Sequence, residues 1–490
     1  MRVAFFELTN ERFARTIQID FAIRLLNEGH EVVWFRNQTP LRLFGEYRIT
    51  NFLDLKIDLS NTSKILKEVS KMYPSFEVRK FQIQKTSNEA KQGTMTNFAS
   101  SKAWQETTVL LRDSMPCAVH DMKIAQRYDL LLERLVETFV GFLDSLNFDK
   151  VVIYNGRFLR EYALWQAADK LHLDTVFLER FNLDWNLKYF EFNEPVHSSI
   201  YRAEIINEFY NNSTMNSTEK SKIAIDWFHK RSGGSGTAFT RFQDTEFRPE
   251  ERFKDIIAFF HSSEDELYST GLDPIHWKNQ FEAIDEIIKL LKDYDDKLLV
   301  IRIHPNLLAK SHRELLRWSH YAKSKQSSNV LFILPDSKIQ TYDILRQASK
   351  IITFGSTIGM EATFLQKPSA LLSSALHSHL KALQKIENSE ELRHFLVSSP
   401  RNLPHIPLGA IMYAFFLEKG GSAISNLTSS SGEIEKQDPG FSYAGIALYK
   451  SRTLSVVKRI EGAFLKIFRG ISAVKCSLDH NPYIHNQVSG

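Results

Sequence analysis

Short apolar runs alternate with amphipathic stretches along most of this chain, and that alternation predicts the fold class. Val3-Ala4-Phe5-Phe6 has strand length, and a polar loop, 7–12, follows it. Next comes an amphipathic helix carrying Ile17, Ile19, Phe21, Ala22, Leu25 and Leu26, which ends at Gly29, and then a second apolar run over 31–35. This is a β-α-β unit, the opening of a Rossmann-like half. The loop after its first strand lacks the glycine-rich dinucleotide fingerprint, so no dinucleotide pyrophosphate is expected there. The segment 57–122 is polar and weakly periodic and reads as inserted helices and loops. A long helix carries Leu130, Leu131, Leu135, Val136, Phe139 and Phe142, and a further unit follows: strand 150–154, helix 161–170, strand 175–178.

The second half repeats the pattern. Strands are expected over 256–260, 298–303, 330–334, 350–354 and 368–372, with helices over 280–292, 341–348 and 358–365. Strands alternating with helices imply a parallel sheet covered on both faces. Ser- and Gly-rich stretches at 211–218 and 232–236 bracket a helix containing Trp227 and mark the expected domain boundary. The predicted organisation is therefore α/β, with two facing Rossmann-like domains at 1–230 and 240–425 and a cleft between them, followed by a tail at 440–490.

Composition adds limits. At 490 residues the chain exceeds what one core supports, so two domains are the default. Hydrophobic residues at 43% and charged residues at 24% are ordinary for a globular protein, and a net charge of +4 is too small to point to nucleic acid as a partner. The only two cysteines, Cys117 and Cys476, fit a reducing compartment. Neither a signal-peptide core nor a spanning run of about 18 apolar residues is found, so a cytoplasmic protein is expected.

Candidate chemistry lies at the carboxyl ends of the strands, where open α/β sheets bind ligands. In the second half these ends carry Ser262 and Ser263, Arg302 and His304, Asp336, and Ser356 with Thr357. Ser356 and Thr357 open a helix, where free N–H groups and the dipole suit the phosphates of a nucleotide. Glu361 falls one position late for a capping box with Thr357, which leaves it free to accept from ribose hydroxyls. His304 can donate to a phosphate oxygen. Arg302 shares its strand face and is either a second phosphate contact or a buried salt-bridge partner. In the first half, Glu7 and Glu179 are candidates for a general base that deprotonates an acceptor hydroxyl, with Glu11, Asn155, Arg157 and Arg180 beside them on the acceptor side.

Three stretches carry a resemblance: Ile301-Arg302-Ile303-His304-Pro305-Asn306, Tyr342-Asp343-Ile344-Leu345, and Phe354-Gly355-Ser356-Thr357-Ile358-Gly359-Met360-Glu361-Ala362 on to Lys367-Pro368. Together they resemble the C-terminal half of bacterial capsule-polysaccharide synthesis proteins, which are GT-B glycosyltransferases. Segments 260–266, 154–157 and 179–180 are similar to further parts of that group. The His-Pro pair, and the Ser-Thr followed by Glu, are shared with teichoic-acid glycerophosphate polymerases and more loosely with sialyl- and Kdo-transferases. The resemblance implies that the C-terminal domain binds a nucleotide sugar as co-substrate, without another cofactor, and that a glycan or lipid-linked acceptor sits on the N-terminal side. The resemblance implies no metal. A polyol-phosphate transferase of the same fold and a non-catalytic scaffold remain the alternatives. The tail at 450–475 holds seven basic residues against Glu461, with apolar residues at helical spacing. It reads either as a helix binding an anionic membrane surface or as a final helix packed on the domains.

Overall fold

The computed structural model describes residues 1–8, 12–37, 49–81, 102–111, 113–114, 118–180, 188–233, 243–268, 270, 272, 275–430, 440–444 and 446–448. They fall into two compact units.

The first unit comprises 1–110, 117–196 and the return of the chain from 421. Its strands are β1 (Arg2–Phe6), β2 (Glu31–Asn37), β3 (Phe76–Phe81), β4 (Lys150–Tyr154), β5 (Asp174–Arg180) and β6 (Lys188–Phe192), joined by β13 (Ser422–Ala423). The order across the sheet is β13-β6-β5-β4-β1-β2-β3. The run from β5 to β3 is parallel, while β6 and β13 are antiparallel to their neighbours. Helices α1 (Arg12–Asn27), α2 (Ile49–Met72), α3 (Lys102–Leu111), α4 (Ala118–Asp144) and α5 (Leu159–Lys170) accompany it. One face of the sheet buries Val3, Phe5, Trp34, Val152 and Leu178 against Ile17, Phe21 and Ile65.

β3 was not expected. Within the inserted segment, Glu77, Arg79 and Lys80 hide any apolar alternation, because β3 is an edge strand that exposes these charges. A small antiparallel sheet, β14 (Thr428–Ser430), β15 (Gly440–Tyr443) and β16 (Ile446–Leu448), also belongs to this unit. The basic tail at 450–475 lies outside the described residues.

The second unit comprises 197–420 and the strap 111–116. Its six strands are β7 (Asp255–Phe260), β8 (Lys297–Arg302), β9 (Val330–Ile333), β10 (Lys350–Thr353), β11 (Ser369–Leu371) and β12 (Gln384–Lys385), all parallel. Their order is β12-β11-β10-β7-β8-β9. Counted from β7, that is 3-2-1-4-5-6 read from the opposite edge, the doubly wound Rossmann order. β7 and β8 are buried along their whole length, as near-continuous apolar runs in a doubly covered sheet should be.

The helices of this unit are α6 (Ser199–Asn212), α7 (Ser217–Ser232), α8 (Glu264–Tyr268), α9 (Gln280–Leu291), α10 (His312–Lys325), α11 (Thr341–Gln347), α12 (Ile358–Phe364), α13 (Ser389–Val397) and α14 (Leu408–Lys419). α9 shows why such segments fold: Asn279 caps it through Glu282 N–H, and Phe281, Ile284, Ile287 and Leu291 line its buried face.

The boundary lies at 196/197, ahead of the expected 230–240. α6 and α7 belong to the second unit because their aromatic residues pack there: Phe209 on Phe416, Trp227 on Tyr413, and Phe228 stacked on Phe364 at 5.3 Å. A Ser/Gly-rich stretch marks a loop; burial of α7's aromatic face decides which core it joins. Among the described residues no helix is long and apolar enough to cross a membrane.

Candidate functional site

In a sheet of this order the chain reverses direction between β7 and β10, and the crevice at their carboxyl ends is the expected ligand position. The second unit has a cavity of about 100 Å³ at this place, lined by His261 after β7, Arg302 and His304 at the end of β8, and Ser356, Thr357 and Glu361 after β10. Arg231 of α7, Gln243, Thr341 and Tyr342 complete its polar wall. Its size is well under the roughly 300 Å³ lower limit of drug-sized ligand pockets, so it has room for no more than a fragment of such a ligand.

Arg302 dominates its electrostatics. The residue is 1% exposed. One guanidinium nitrogen donates to the carbonyl oxygens of Leu334 (2.6 Å), Ile303 (3.2 Å) and Ile333 (3.4 Å), and Nε donates to the Thr341 hydroxyl at 3.4 Å. The remaining nitrogen, Nη2, is buried without a partner. Among the described residues no carboxylate forms an ion pair with it, so the salt-bridge alternative is not what the structure contains. Burial lowers its pKa to about 10, opposed by Asp336 at longer range.

His304 caps the short 3₁₀ turn at 305–309, its Nδ1 accepting from Asn306 N–H at 3.0 Å. Burial, assisted by Arg302 and Lys310 and opposed by Glu266, lowers its pKa to about 4. The ring is therefore neutral near pH 7, and with Nδ1 accepting, its proton sits on Nε2 as a donor. The Thr357 side chain makes no cap bond, and Ser356 Oγ accepts from Ile358 N–H at 3.4 Å.

Glu361 corrects the expectation of a free acceptor. Its Oε1 takes an ion pair from Arg231 Nε at 2.7 Å, and its Oε2 accepts from Tyr342 OH at 2.5 Å. The one-residue offset from a capping box released the carboxylate from its helix, but a protein arginine took it. Among the described residues that line it, two arginines and this single carboxylate leave one net positive charge.

Three expected residues stand elsewhere. Ser262 is held by Gln280, which accepts its N–H at 2.7 Å and donates to its carbonyl at 2.9 Å. Ser263 and the exposed Asp336 do not line the cavity. Conversely, His261, Arg231, Gln243 and Tyr342 were not expected as site residues, although 261 and 342 lie in stretches that carry the resemblance. Arg231 carried no signal, since it directly precedes the stretch 232–236 read as a linker. His261 could have been found, as it directly follows a strand.

In the first unit the expected residues end three adjacent strands: Glu7 after β1, Asn155 after β4 and Glu179 on β5. Glu7 is 4% exposed, pairs with Arg36 at 3.3 Å through one oxygen and leaves the other buried without a partner. Burial raises its pKa against the opposing pull of Arg36 and Arg15. Asn155 donates to Glu179 and, in a left-handed conformation (φ 62°), accepts from Arg157 N–H at 3.2 Å. The Arg157 guanidinium lies over Phe158 at 4.8 Å, with Nε buried and unpartnered. Arg180 ends β5, half-buried, and Glu11 lies outside the described residues. Lys102, missed in the sequence, is pushed down to about 8 by burial, against Glu106 and with Arg157 adding to the depression.

Doubly wound order, with a cavity at its switch point, defines a Rossmann-like unit. No family model matches the chain, and no curated protein matches it. Among solved structures it is similar to the KpsC beta Kdo 2,4 transferase of Thermosulfurimonas dismutans, at 12% identity over 55% of this chain and 79% of that one, TM-score 0.36. The UDP-GlcNAc 2-epimerase of Methanocaldococcus jannaschii, solved with UDP-GlcNAc and UDP, matches at 13% over 84% and 97%, TM-score 0.30. The glycotransferase of kitacinnamycin matches at 11% over 86% and 95%, TM-score 0.28. The α/β assignment rests on the strand order of the two sheets and not on these distant likenesses.

Proposed function

We propose that the protein is a glycosyltransferase that moves a sugar from a nucleotide-sugar donor to a glycan or lipid-linked acceptor in surface-polysaccharide synthesis. In this reading the cavity of the second unit holds phosphate oxygens of the donor, and the strand ends of the first unit receive the acceptor. The acceptor hydroxyl attacks the anomeric carbon as its bond to the phosphate oxygen breaks. Arg302 and the Nε2–H of His304 stabilise the charge left on that phosphate, and Glu7 or Glu179 takes the hydroxyl proton. The basic segment 450–475 would hold the enzyme at an anionic membrane surface.

The observation that carries the reading is Arg302. A buried guanidinium without a carboxylate costs several kcal/mol, and such a cost is characteristic of a site that awaits an anion. Sugar transfer itself is supported by the resemblance of 301–306, 342–345 and 354–368 to capsule-synthesis glycosyltransferases.

Calorimetry with UDP, GDP, CMP and CDP, followed by a hydrolysis screen of the matching nucleotide sugars and CDP-glycerol, tests the proposal. One nucleotide should bind and its sugar derivative should be slowly hydrolysed. Turnover of CDP-glycerol alone would turn the reading to polyol-phosphate transfer. Silence with all four nucleotides would overturn it in favour of a scaffold.

A further inference from the structure

His261 has no part in the site as read from the sequence, yet it stands at the switch point, directly after the first strand of the doubly wound order. Two hydrogen bonds lace it to the loop that carries Arg302 and His304. Its own N–H donates to the Arg302 carbonyl at 3.1 Å, and its Nδ1 accepts from the His304 N–H at 3.4 Å. The ring is 3% exposed and meets Trp318 edge-on, with centroids 4.5 Å apart and planes at 86°. Trp318, fully buried, is fixed in turn against Phe281. His261 is thus held by packing on one side and by the phosphate loop on the other, and it lines the cavity.

Burial, with His304 and Lys310 adding to it, holds the ring well below the usual histidine range. A neutral imidazole whose Nδ1 accepts carries its hydrogen on Nε2. The cavity is then lined by two neutral imidazoles in the same tautomer, His261 and His304, and by Arg302, whose Nη2 is buried without a partner. A neutral donor next to a buried guanidinium adds a hydrogen bond without adding like charge.

Resting on the reading of this cavity as a phosphate site, we propose that His261 is its second imidazole. Nδ1 positions the main chain of His304, and Nε2–H donates to the same phosphate that Arg302 binds.

Inorganic pyrophosphate is the probe, with affinity read by calorimetry and the ring nitrogens read by NMR of full-length protein labelled with ¹⁵N-histidine. In the wild type, pyrophosphate should shift the Nε2–H signals of both His261 and His304. An unmoved His261 signal would overturn the proposal whatever the variants do. His261→Asn keeps an acceptor near the Nδ1 position and loses the Nε2–H. It should weaken pyrophosphate about five- to tenfold, the worth of one neutral hydrogen bond, and leave the His304 signals in place. His261→Gln reaches the Nε2 position and loses the acceptor. It should keep more of the affinity than His261→Asn but displace the His304 signals. A merely structural histidine would lower the melting temperature of both variants without this split.

The two readings fail differently. If Arg302→Met abolishes pyrophosphate binding while both His261 variants bind as wild type, the phosphate site stands and the role of His261 falls. If the wild type binds no pyrophosphate, both fall.

Discussion

Replacing Glu314 with glutamine should make the protein progressively more stable than wild type as the pH rises. The strap 111–116 is fastened to α10 through Asp113 and Ser114. Asp113, 0% exposed, takes Arg317 at 3.0 Å together with Arg313, while Ser114 bonds Glu314 through its N–H (3.0 Å) and its hydroxyl (2.9 Å). Burial acts to raise the Asp113 carboxyl, but Arg317 and Arg313 hold it below the usual range. Glu314 also pairs with Arg317, at 2.7 Å, but burial, opposed by Arg317 and reinforced by the neighbouring Asp113, pushes it up to about 8. The sign follows from proton linkage. An unfolded glutamate loses its proton near pH 4.5, so between there and about pH 8 the unfolded chain holds fewer protons than the folded one. Over that interval wild-type stability falls with rising pH, by about 1.4 kcal/mol per unit for this group, and above it the loss is complete. From pH 5 to 8 the ceiling is three units, about 4 kcal/mol, and relaxation of the cluster reduces it to roughly 2–4 kcal/mol. Glutamine holds no such proton, so any constant offset from its altered hydrogen bonding cancels in the comparison. Urea denaturation at the two pH values, followed by tryptophan fluorescence to which Trp318 contributes from the same helix, reads it as a gain of about 1 M or more in the midpoint difference. A difference between variant and wild type that is equal at pH 5 and pH 8 would show Glu314 ionised throughout and refute the reasoning.

Arg302→Met should cut pyrophosphate affinity at least tenfold without lowering the urea midpoint of the ligand-free protein, because the change removes an uncompensated buried charge; a clear loss of stability would mean the guanidinium is structural. His304→Ala should reduce nucleotide affinity or turnover at least tenfold, and a wild-type-like variant would remove the core of the proposed chemistry. Gly409→Ala, near the start of α14, would set its Cβ 1.8 Å from the Leu380 carbonyl oxygen. Backbone must move there, so a cost of about 3 kcal/mol or more is expected in a thermal melt despite the better helix propensity of alanine. Removing 450–490 should abolish partition onto anionic vesicles at low salt, and unchanged partition would sink the membrane reading.

The periodic pattern alone located five of the six strands of the second unit, and α9, α11 and α12, to within a residue or two, since buried parallel strands are continuous apolar runs and such helices are amphipathic; it set no bounds for α6, α8, α10, α13 and α14. The same logic missed β3, whose exposed edge position lets it carry Glu77, Arg79 and Lys80. Of the expected donor-side residues, Arg302, His304, Ser356, Thr357 and Glu361 converge on one cavity, because strand ends are legible and a doubly wound sheet gathers them. Their partners were not legible.

By itself the sequence determined the α/β class, the two repeated halves and the rim residues, all of which follow from local periodicity and from where strands stop. Tertiary structure decided what depends on neighbours distant in the chain. It gave Glu361 to Arg231, 130 residues away, and left Arg302 without an ion pair among the described residues. It also brought His261 against His304 across 43 residues and placed α6 and α7 in the second unit. Charge pairing and burial act through space, so periodicity along the chain carries no record of them.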